Sequence, residues 1–153
     1  MAAARDASAN TPRAVTALGF DFGTQRIGVA VGNTLTASAR ALAVLPTRDG
    51  APDWEAIARL VQEWQPQQLV VGLPLNMDGS DSQTTVNARS FSRKLGGRLQ
   101  LPVALVDERL TSRAAREEMR EAKPRGKGKA DTPVDAVAAA LILEQWLAQQ
   151  AGG

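Results

Sequence analysis

The order of the apolar segments constrains the fold of this chain more than any other feature of its sequence. Three β-rich runs come first, and strands and helices then alternate to the end of the chain. A three-stranded meander followed by alternating elements predicts one α/β domain, a mixed five-stranded sheet with helices on both faces. The predicted strands are Val15–Phe22, Ile27–Val31, Ser38–Leu45, Gln68–Gly72 and Val103–Val106.

Four helices complete this pattern. Their predicted spans are Asp53–Gln65, Gln83–Leu95, Thr111 or Ser112 through Glu121, and Thr132-Pro133 through Leu147. In the second helix, the spacing predicts Val86, Phe91 and Leu95 facing inward, and Arg89 and Arg93 facing outward.

The length of 153 residues suits one domain. We expect residues 1–13, which are small and polar, to form a disordered tail, and residues 14–150 to form a single domain. No apolar run is long enough to cross a bilayer, so we expect a cytoplasmic protein without a membrane partner.

The chain contains no cysteine and no histidine. Thiol nucleophiles, thiolate zinc sites, histidine bases and histidine-ligated metals are therefore excluded. Acid–base or metal chemistry has to use carboxylates, lysines, hydroxyls or bound water.

The charge is unevenly distributed along the chain. The formal net charge is +2, but the segment Arg89–Lys129, here called the basic segment, carries twelve Lys or Arg and five Asp or Glu residues. This asymmetry indicates either a basic face for a polyanion or an ordinary solvated surface.

Acidic residues stand out at three places in the sequence. Asp21 interrupts an apolar strand, Asp107 and Glu108 end the last strand, and Asp135 begins an otherwise apolar helical run. Each has a structural alternative: a turn aspartate, a strand-end pair bound to Arg109 or Arg113, and a carboxylate favoured by the helix dipole.

Taken together, Asp21, Glu108 and Asp135 predict carboxylates from separate elements converging on one shallow groove. Because neighbouring strand residues point to opposite faces, we expect Asp107 to point elsewhere. Clustered carboxylates repel one another unless cations bridge them, and hard oxygen ligands favour Mg²⁺ or Mn²⁺.

Four segments carry a resemblance to a known family. Residues 18–31 (LGFDFGTQRIGVAV), 70–79 (VVGLPLNMDG), 106–112 (VDERLTS) and 134–144 resemble the YqgF-type family, described as pre-16S rRNA nucleases or as Holliday junction resolvases. The resemblance implies a ribonuclease H-like fold, a divalent metal, and trimming of the 5′ end of the 16S rRNA precursor, free or in a pre-ribosomal particle. The family's acidic residues would fall on Asp21, Glu108 and Asp135.

Other side chains have chemistry suited to nucleic-acid binding. Hydroxyl, amide and cationic groups contact phosphates or metal-bound water. The candidates are Thr24, Asn76, Arg109, Arg113, Lys127 and Lys129.

Alternative functions remain open on the sequence. A resolvase acting on branched DNA needs two active sites and hence a dimer, whereas a trimming ribonuclease acts as a monomer. A non-catalytic RNA-binding or transcription-associated module could keep the same fold. The Asp-Phe-Gly-Thr turn also resembles the phosphate loop of actin-like and sugar-kinase ATPases, which need two such lobes.

Overall fold

The computed structural model of the chain describes residues 14–110 and 134–152. The predicted tail and the helix predicted after Thr111 lie outside these ranges. The strands are β1 (Thr16–Phe22), β2 (Arg26–Asn33), β3 (Ser38–Pro46), β4 (Gln68–Leu73) and β5 (Val103–Asp107). The helices are α1 (Trp54–Trp64), α2 (Gln83–Leu99), a 3₁₀ turn (Glu108–Leu110) and α3 (Val134–Gly152).

The five strands form one mixed sheet in the order β3-β2-β1-β4-β5. The meander β1-β2-β3 is antiparallel, and β4 and β5 add in parallel on the other side of β1. Helix α3 covers one face, and α1 and α2 cover the other. The predicted sheet with helices on both faces is therefore confirmed. In the part of the chain that the structure describes, no helix is long and apolar enough to cross a membrane.

Local sequence signals explain where the helices begin and end. The Asp53 side chain accepts a hydrogen bond from the Ala56 amide and caps α1, and Gln65 ends that helix in the left-handed conformation. Ser82 and Thr85 form a reciprocal capping box at the start of α2.

The predicted inward position of Val86 is wrong. Val86 is 47% exposed, whereas its neighbour Thr85 is fully buried. The Thr85 hydroxyl donates a 2.7 Å hydrogen bond to the Pro74 carbonyl, and this bond satisfies the buried polar group. The capping box therefore sets the rotation of the first turn of α2. Phe91 and Leu95 are buried as predicted, and α2 continues to Leu99.

Helix α3 lies very close to the sheet because glycines face it. A Cβ atom on Gly19 would come within 2.9 Å of the Leu143 Cβ, and one on Gly72 within 2.5 Å of the Ile142 Cδ1. A Cβ on Gly28 would overlap the backbone carbonyl of Asp135. The first turn of α3 is thus held against β2 by backbone contact.

This close approach predicts the response to two glycine substitutions. In Gly28→Ala the new methyl group meets backbone that cannot rotate away, so we expect a loss of about 1–3 kcal/mol in the free energy of unfolding. Gly97, in α2, has no atom within 4 Å of a Cβ position. Gly97→Ala, the matched control, should leave the free energy of unfolding unchanged or raise it by up to about 1 kcal/mol. Urea unfolding measures both, and equal stabilities of the two variants would contradict this account.

Candidate active site

The first of the three predicted acids, Asp21, lies on the α3 face of the sheet. Gly19 contacts α3, and alternation along β1 places Asp21 on the same face. Asp21 pairs directly with Gly28 of β2. Since Gly28 has no side chain and lies under the Asp135 backbone, Asp21 is next to the start of α3.

Glu108 approaches the same place from the other side. It opens the 3₁₀ turn that follows β5 and is only 3% exposed. A Cβ atom on Gly72 would lie 2.5 Å from the Glu108 Oε2, so the carboxylate sits over this glycine. The pairing of Phe20 with Val71 puts Gly72 beside Asp21 on the neighbouring strand. Asp21 thus has a glycine on each flanking strand, one under Asp135 and one under Glu108.

Asp135 lies in the first turn of α3, and its carboxylate is held by an arginine. The Arg26 Nε donates a 2.7 Å hydrogen bond to the Asp135 Oδ2. Arg26 precedes Gly28 by two residues in β2, so it shares the α3 face. The side chains are 58% and 38% exposed, so the ion pair is a solvated one.

The three acids share a face but do not form a compact ligand group. Within residues 14–110 and 134–152, no three Asp, Glu, His or Cys side chains lie close enough together to hold one metal ion. Asp135 is instead paired with Arg26.

Asp107 has a different role from its neighbour Glu108. Its carboxylate accepts hydrogen bonds from the Arg109 Nη2 at 2.7 Å, from the Arg109 Nε and from the Arg109 backbone amide. The side-chain bond from Arg109 lowers the pKa of Asp107, and the same bond raises the pKa of Arg109. This is the strand-end ion pair that the sequence left open as an alternative for Asp107.

Arg109 also connects the 3₁₀ turn to the loop after β4. Its Nη1 donates a 3.0 Å hydrogen bond to the Met77 carbonyl. In that loop, Asn76 donates to the Ser80 hydroxyl, and Ser80 donates to Asp78. The side-chain bond from Ser80 lowers the pKa of Asp78. Arg109 and Asn76, two predicted nucleic-acid ligands, thus also fix the wall of the site beside Glu108.

Of the remaining predicted nucleic-acid contacts, the structure describes only Thr24. Thr24 is exposed in the turn between β1 and β2, and its carbonyl accepts a hydrogen bond from the Thr47 hydroxyl. Arg113, Lys127 and Lys129 lie outside the described residues.

Two features of the site were not predicted from the sequence. The first is Arg26, whose partner Asp135 is 109 residues away. The second is the pair of glycines, Gly28 and Gly72, that make room for the acids. The isolated glycines within otherwise apolar strands are a sequence signal for close approach of another backbone or side chain.

With this geometry in place, relatives identify the family. A family model described as "RuvX: Holliday junction resolvase" matches residues 15–149. The chain is 54% identical over 132 residues to a protein of Pseudomonas paraeruginosa (strain DSM 24068 / PA7) named "Putative pre-16S rRNA nuclease", covering 86% of this chain and 91% of the relative. A protein of Chromohalobacter salexigens with the same name is 56% identical over 131 residues, covering 86% and 88%. The chain belongs to this RuvX family, and it is a hydrolase of phosphodiester bonds.

Solved structures confirm the ribonuclease H-like fold. The structure of T. thermophilus RuvC in complex with a Holliday junction substrate matches with a TM-score of 0.52 at 17% identity, covering 90% of this chain and 96% of that chain. A second structure of Thermus thermophilus RuvC gives the same TM-score at 16% identity.

The ion pair between Asp107 and Arg109 predicts a pH dependence of stability. Because the folded pKa of Asp107 is lowered, the pair contributes fully above the unfolded pKa of about 3.9, and its contribution is lost as pH falls through the lower folded value. The stability difference between wild type and Asp107→Asn should therefore shrink as pH falls below about 4. Denaturant midpoints across this range provide the measurement, and Arg109→Gln should give the same profile. A difference that stays constant from about pH 6 to pH 2.5 would refute the assignment.

Proposed function

We propose that this protein is a metal-dependent nuclease that trims the 5′ end of the 16S rRNA precursor, with Asp21, Glu108 and Asp135 as its catalytic and metal-binding residues. The observation that carries the proposal is the row Gly28, Asp21, Gly72 across three strands, with Asp135 and Glu108 at its two ends. Acids from three elements, 27 to 114 positions apart in sequence, lie on one face of the sheet, and the position beside Asp21 on each flanking strand is a glycine.

The chemistry of the donors fits a divalent cation such as Mg²⁺ or Mn²⁺. All three groups offer hard carboxylate oxygens, which these ions prefer. When bound there, the ions supply charge stabilisation for an in-line displacement at phosphorus and lower the pKa of the attacking water. The cytoplasm provides both the ions and the precursor rRNA.

The protein's own residues have separate tasks in this proposal. Asp21 lies on β1, the central strand of the sheet, and would hold the divalent cation there. Glu108 is almost fully buried, so its carboxylate is held in one place over Gly72. Asp135 is more exposed, and of the three acids it is the one that we expect to exchange its partner, Arg26, for a divalent cation.

Arg26 acts as the counterion of Asp135 when no metal is bound. Like charges that face one another raise the energy of the metal-free site, and a cation at Asp135 offsets part of this repulsion. Since the pair is solvated, breaking it costs at most about 1 kcal/mol. The Asp135 carboxylate is thus available to a divalent cation at small cost, and Arg26 would then be available to contact phosphate.

The names of the relatives favour precursor rRNA as the substrate. The Pseudomonas and Chromohalobacter proteins are named for pre-16S rRNA and are more than half identical to this chain. The family description supports a second candidate, cleavage of branched DNA by a dimer. In either case the proposed contacts to nucleic acid are Thr24, Asn76, Arg109, Arg113, Lys127 and Lys129. For trimming of precursor rRNA, a monomer suffices.

Cleavage assays test the three acids directly. Asp21→Asn and Glu108→Gln should each lower the rate of precursor cleavage by at least about a hundredfold in Mg²⁺ or Mn²⁺, because each removes a metal ligand. Metal-free RNA binding should persist, since the lost charges repel phosphate. A four-way DNA junction incubated in parallel distinguishes the two substrate candidates.

Matched control variants replace a carboxylate by an amide at a position away from the proposed active site. Asp53→Asn keeps a good helix cap on α1, and Glu63→Gln alters an exposed position of the same helix. Both should cleave at the wild-type rate. An Asp21→Asn protein that is folded and still cuts as fast as its control would rule out this site.

The role of Arg26 predicts a change in metal affinity. Arg26→Gln removes the competitor for Asp135, so Mn²⁺ should bind more tightly, by up to about fivefold for the loss of a solvated ion pair. Isothermal titration of the nucleic-acid-free protein with MnCl₂ gives this value without any cleavage assay. Arg40→Gln, at an exposed arginine near Trp64, is the control. Equal Mn²⁺ affinity of wild type and Arg26→Gln would contradict the counterion role.

A further inference from the structure

A cavity opens at the same end of the sheet as the acids, but on the opposite face. Its volume is about 390 Å³, and Phe22 and Thr24 form part of its wall. Because Asp21 and Phe22 are consecutive residues of β1, their side chains point to opposite faces. The cavity thus begins one residue from the proposed catalytic acid, and the exposed turn at Thr24 connects the two faces.

A second cavity continues the first one along helix α2. Its volume is about 620 Å³, and it shares Asp49, Gly50, Pro52 and Lys94 with the first. Together the two form a channel, here called the α2 groove, between the loop after β3 and one face of α2. The α2 residues of this face are Asn87, Ser90, Phe91, Lys94, Gly97 and Arg98.

The groove lining has a small excess of positive charge, with Lys94 and Arg98 against Asp49. Lys94 is exposed and makes no ion pair with any residue in the described ranges 14–110 and 134–152. Arg98 lies one helical turn further along, with its guanidinium 4.5 Å from the Trp54 ring centre. Asp49 is an acidic residue in the lining, and its carboxylate can accept a hydrogen bond from a base amino group. The two cations follow one another along the groove at the spacing of an α-helix.

Aromatic rings form the inner end of the groove. The Phe22 ring stacks on Phe91 with 5.0 Å between ring centres, and Phe91 stacks on Trp54 at 5.8 Å. Phe22 is only partly buried, so this aromatic layer reaches the cavity. Aromatic side chains beside a cationic track are the surface on which single-stranded bases stack.

Gly97 gives an independent indication that the outer groove is kept open. A glycine inside a helix costs about 0.5–1 kcal/mol relative to alanine. Nothing in the described structure lies within 4 Å of a Cβ at Gly97, so packing does not require glycine there. Its neighbour Gly96 differs, because a Cβ there would lie 3.1 Å from the Val103 side chain. An open backbone at Gly97 leaves room for a ligand in the groove.

We propose that the α2 groove binds a single-stranded stretch of nucleic acid that continues from the scissile phosphate around the turn at Thr24. One unstacked base occupies the inner cavity against Phe22, and the following phosphates lie beside Lys94 and Arg98. The proposal rests on the proposed function for two points, nucleic acid as the substrate and the place of the scissile phosphate near Asp21. Binding in the groove itself does not depend on metal ions or on cleavage.

The test is metal-free binding by the full-length protein. Fluorescence anisotropy in EDTA is measured for a single-stranded RNA of about ten nucleotides, the DNA of the same sequence, and the matching RNA duplex, over a range of salt concentrations. Lys94→Gln should weaken single-strand binding severalfold and reduce the slope of log K against log [salt] by about 0.7. Arg93→Gln makes the same charge change on the neighbouring exposed residue of α2, which does not line the groove, and should change both far less.

A second variant tests the groove by bulk instead of charge. Gly97→Gln fills the open position without altering the net charge, so it should weaken single-strand binding severalfold and leave the salt slope unchanged. Gly97→Ala adds a single methyl group and should weaken single-strand binding less than Gly97→Gln does. The circular dichroism and unfolding midpoints of these variants confirm that the fold is retained.

Each outcome decides the proposal. The proposal is overturned if the protein does not bind single strands, or if Lys94→Gln and Arg93→Gln weaken binding equally. It is also overturned if Gly97→Gln keeps the full affinity, or if duplex binding depends on Lys94 to the same extent. Binding of both RNA and DNA supports a groove that reads backbone and base, and preference for RNA supports one with an added contact to the 2′-hydroxyl. A protein that binds through Lys94 but does not cleave would refute the proposed function alone.

Discussion

The contact between the start of helix α3 and the glycines of the sheet is the constraint on which the rest of the site depends. Gly28 allows the Asp135 backbone to rest on β2, and Gly72 leaves space for the Glu108 carboxylate. A side chain at either position would push an acid away from Asp21. Protein interiors are close-packed, so such a displacement could not be absorbed nearby. The same glycines that hold the helix therefore also set the spacing of the proposed catalytic groups.

The two faces of the sheet contribute different properties to one end of the molecule. The α3 face presents acids on a rigid base, whereas the α2 face presents cations and aromatic rings. The exposed turn at Thr24 lies where these surfaces meet. Arg109 fixes the wall of the site beside Glu108, because it joins the turn after β5 to the loop after β4. A nucleic-acid strand that crosses this end would meet cationic side chains on both sides of the acids.

The fold could be predicted because its signals are local and repeated. Apolar runs and helical spacing define the elements, and their order defines the sheet. The separation of Asp107 from Glu108 also followed from strand alternation. The ion pair between Arg26 and Asp135 could not be predicted, because nothing in the local sequence of either residue specifies a partner 109 positions away. Val86 was misplaced because helical periodicity alone ignored the capping box, which buries Thr85 instead.

The central claim is that Asp21, Glu108 and Asp135 act together on divalent cations. The most direct test is a crystal structure of the protein grown with MnCl₂, with anomalous scattering used to locate manganese. We expect an anomalous peak bounded by the carboxylates of Asp21 and Glu108, with the Asp135 carboxylate turned from Arg26 toward the metal. A peak at another place, or no peak at this face with Asp135 still bound to Arg26 in saturating Mn²⁺, would contradict it.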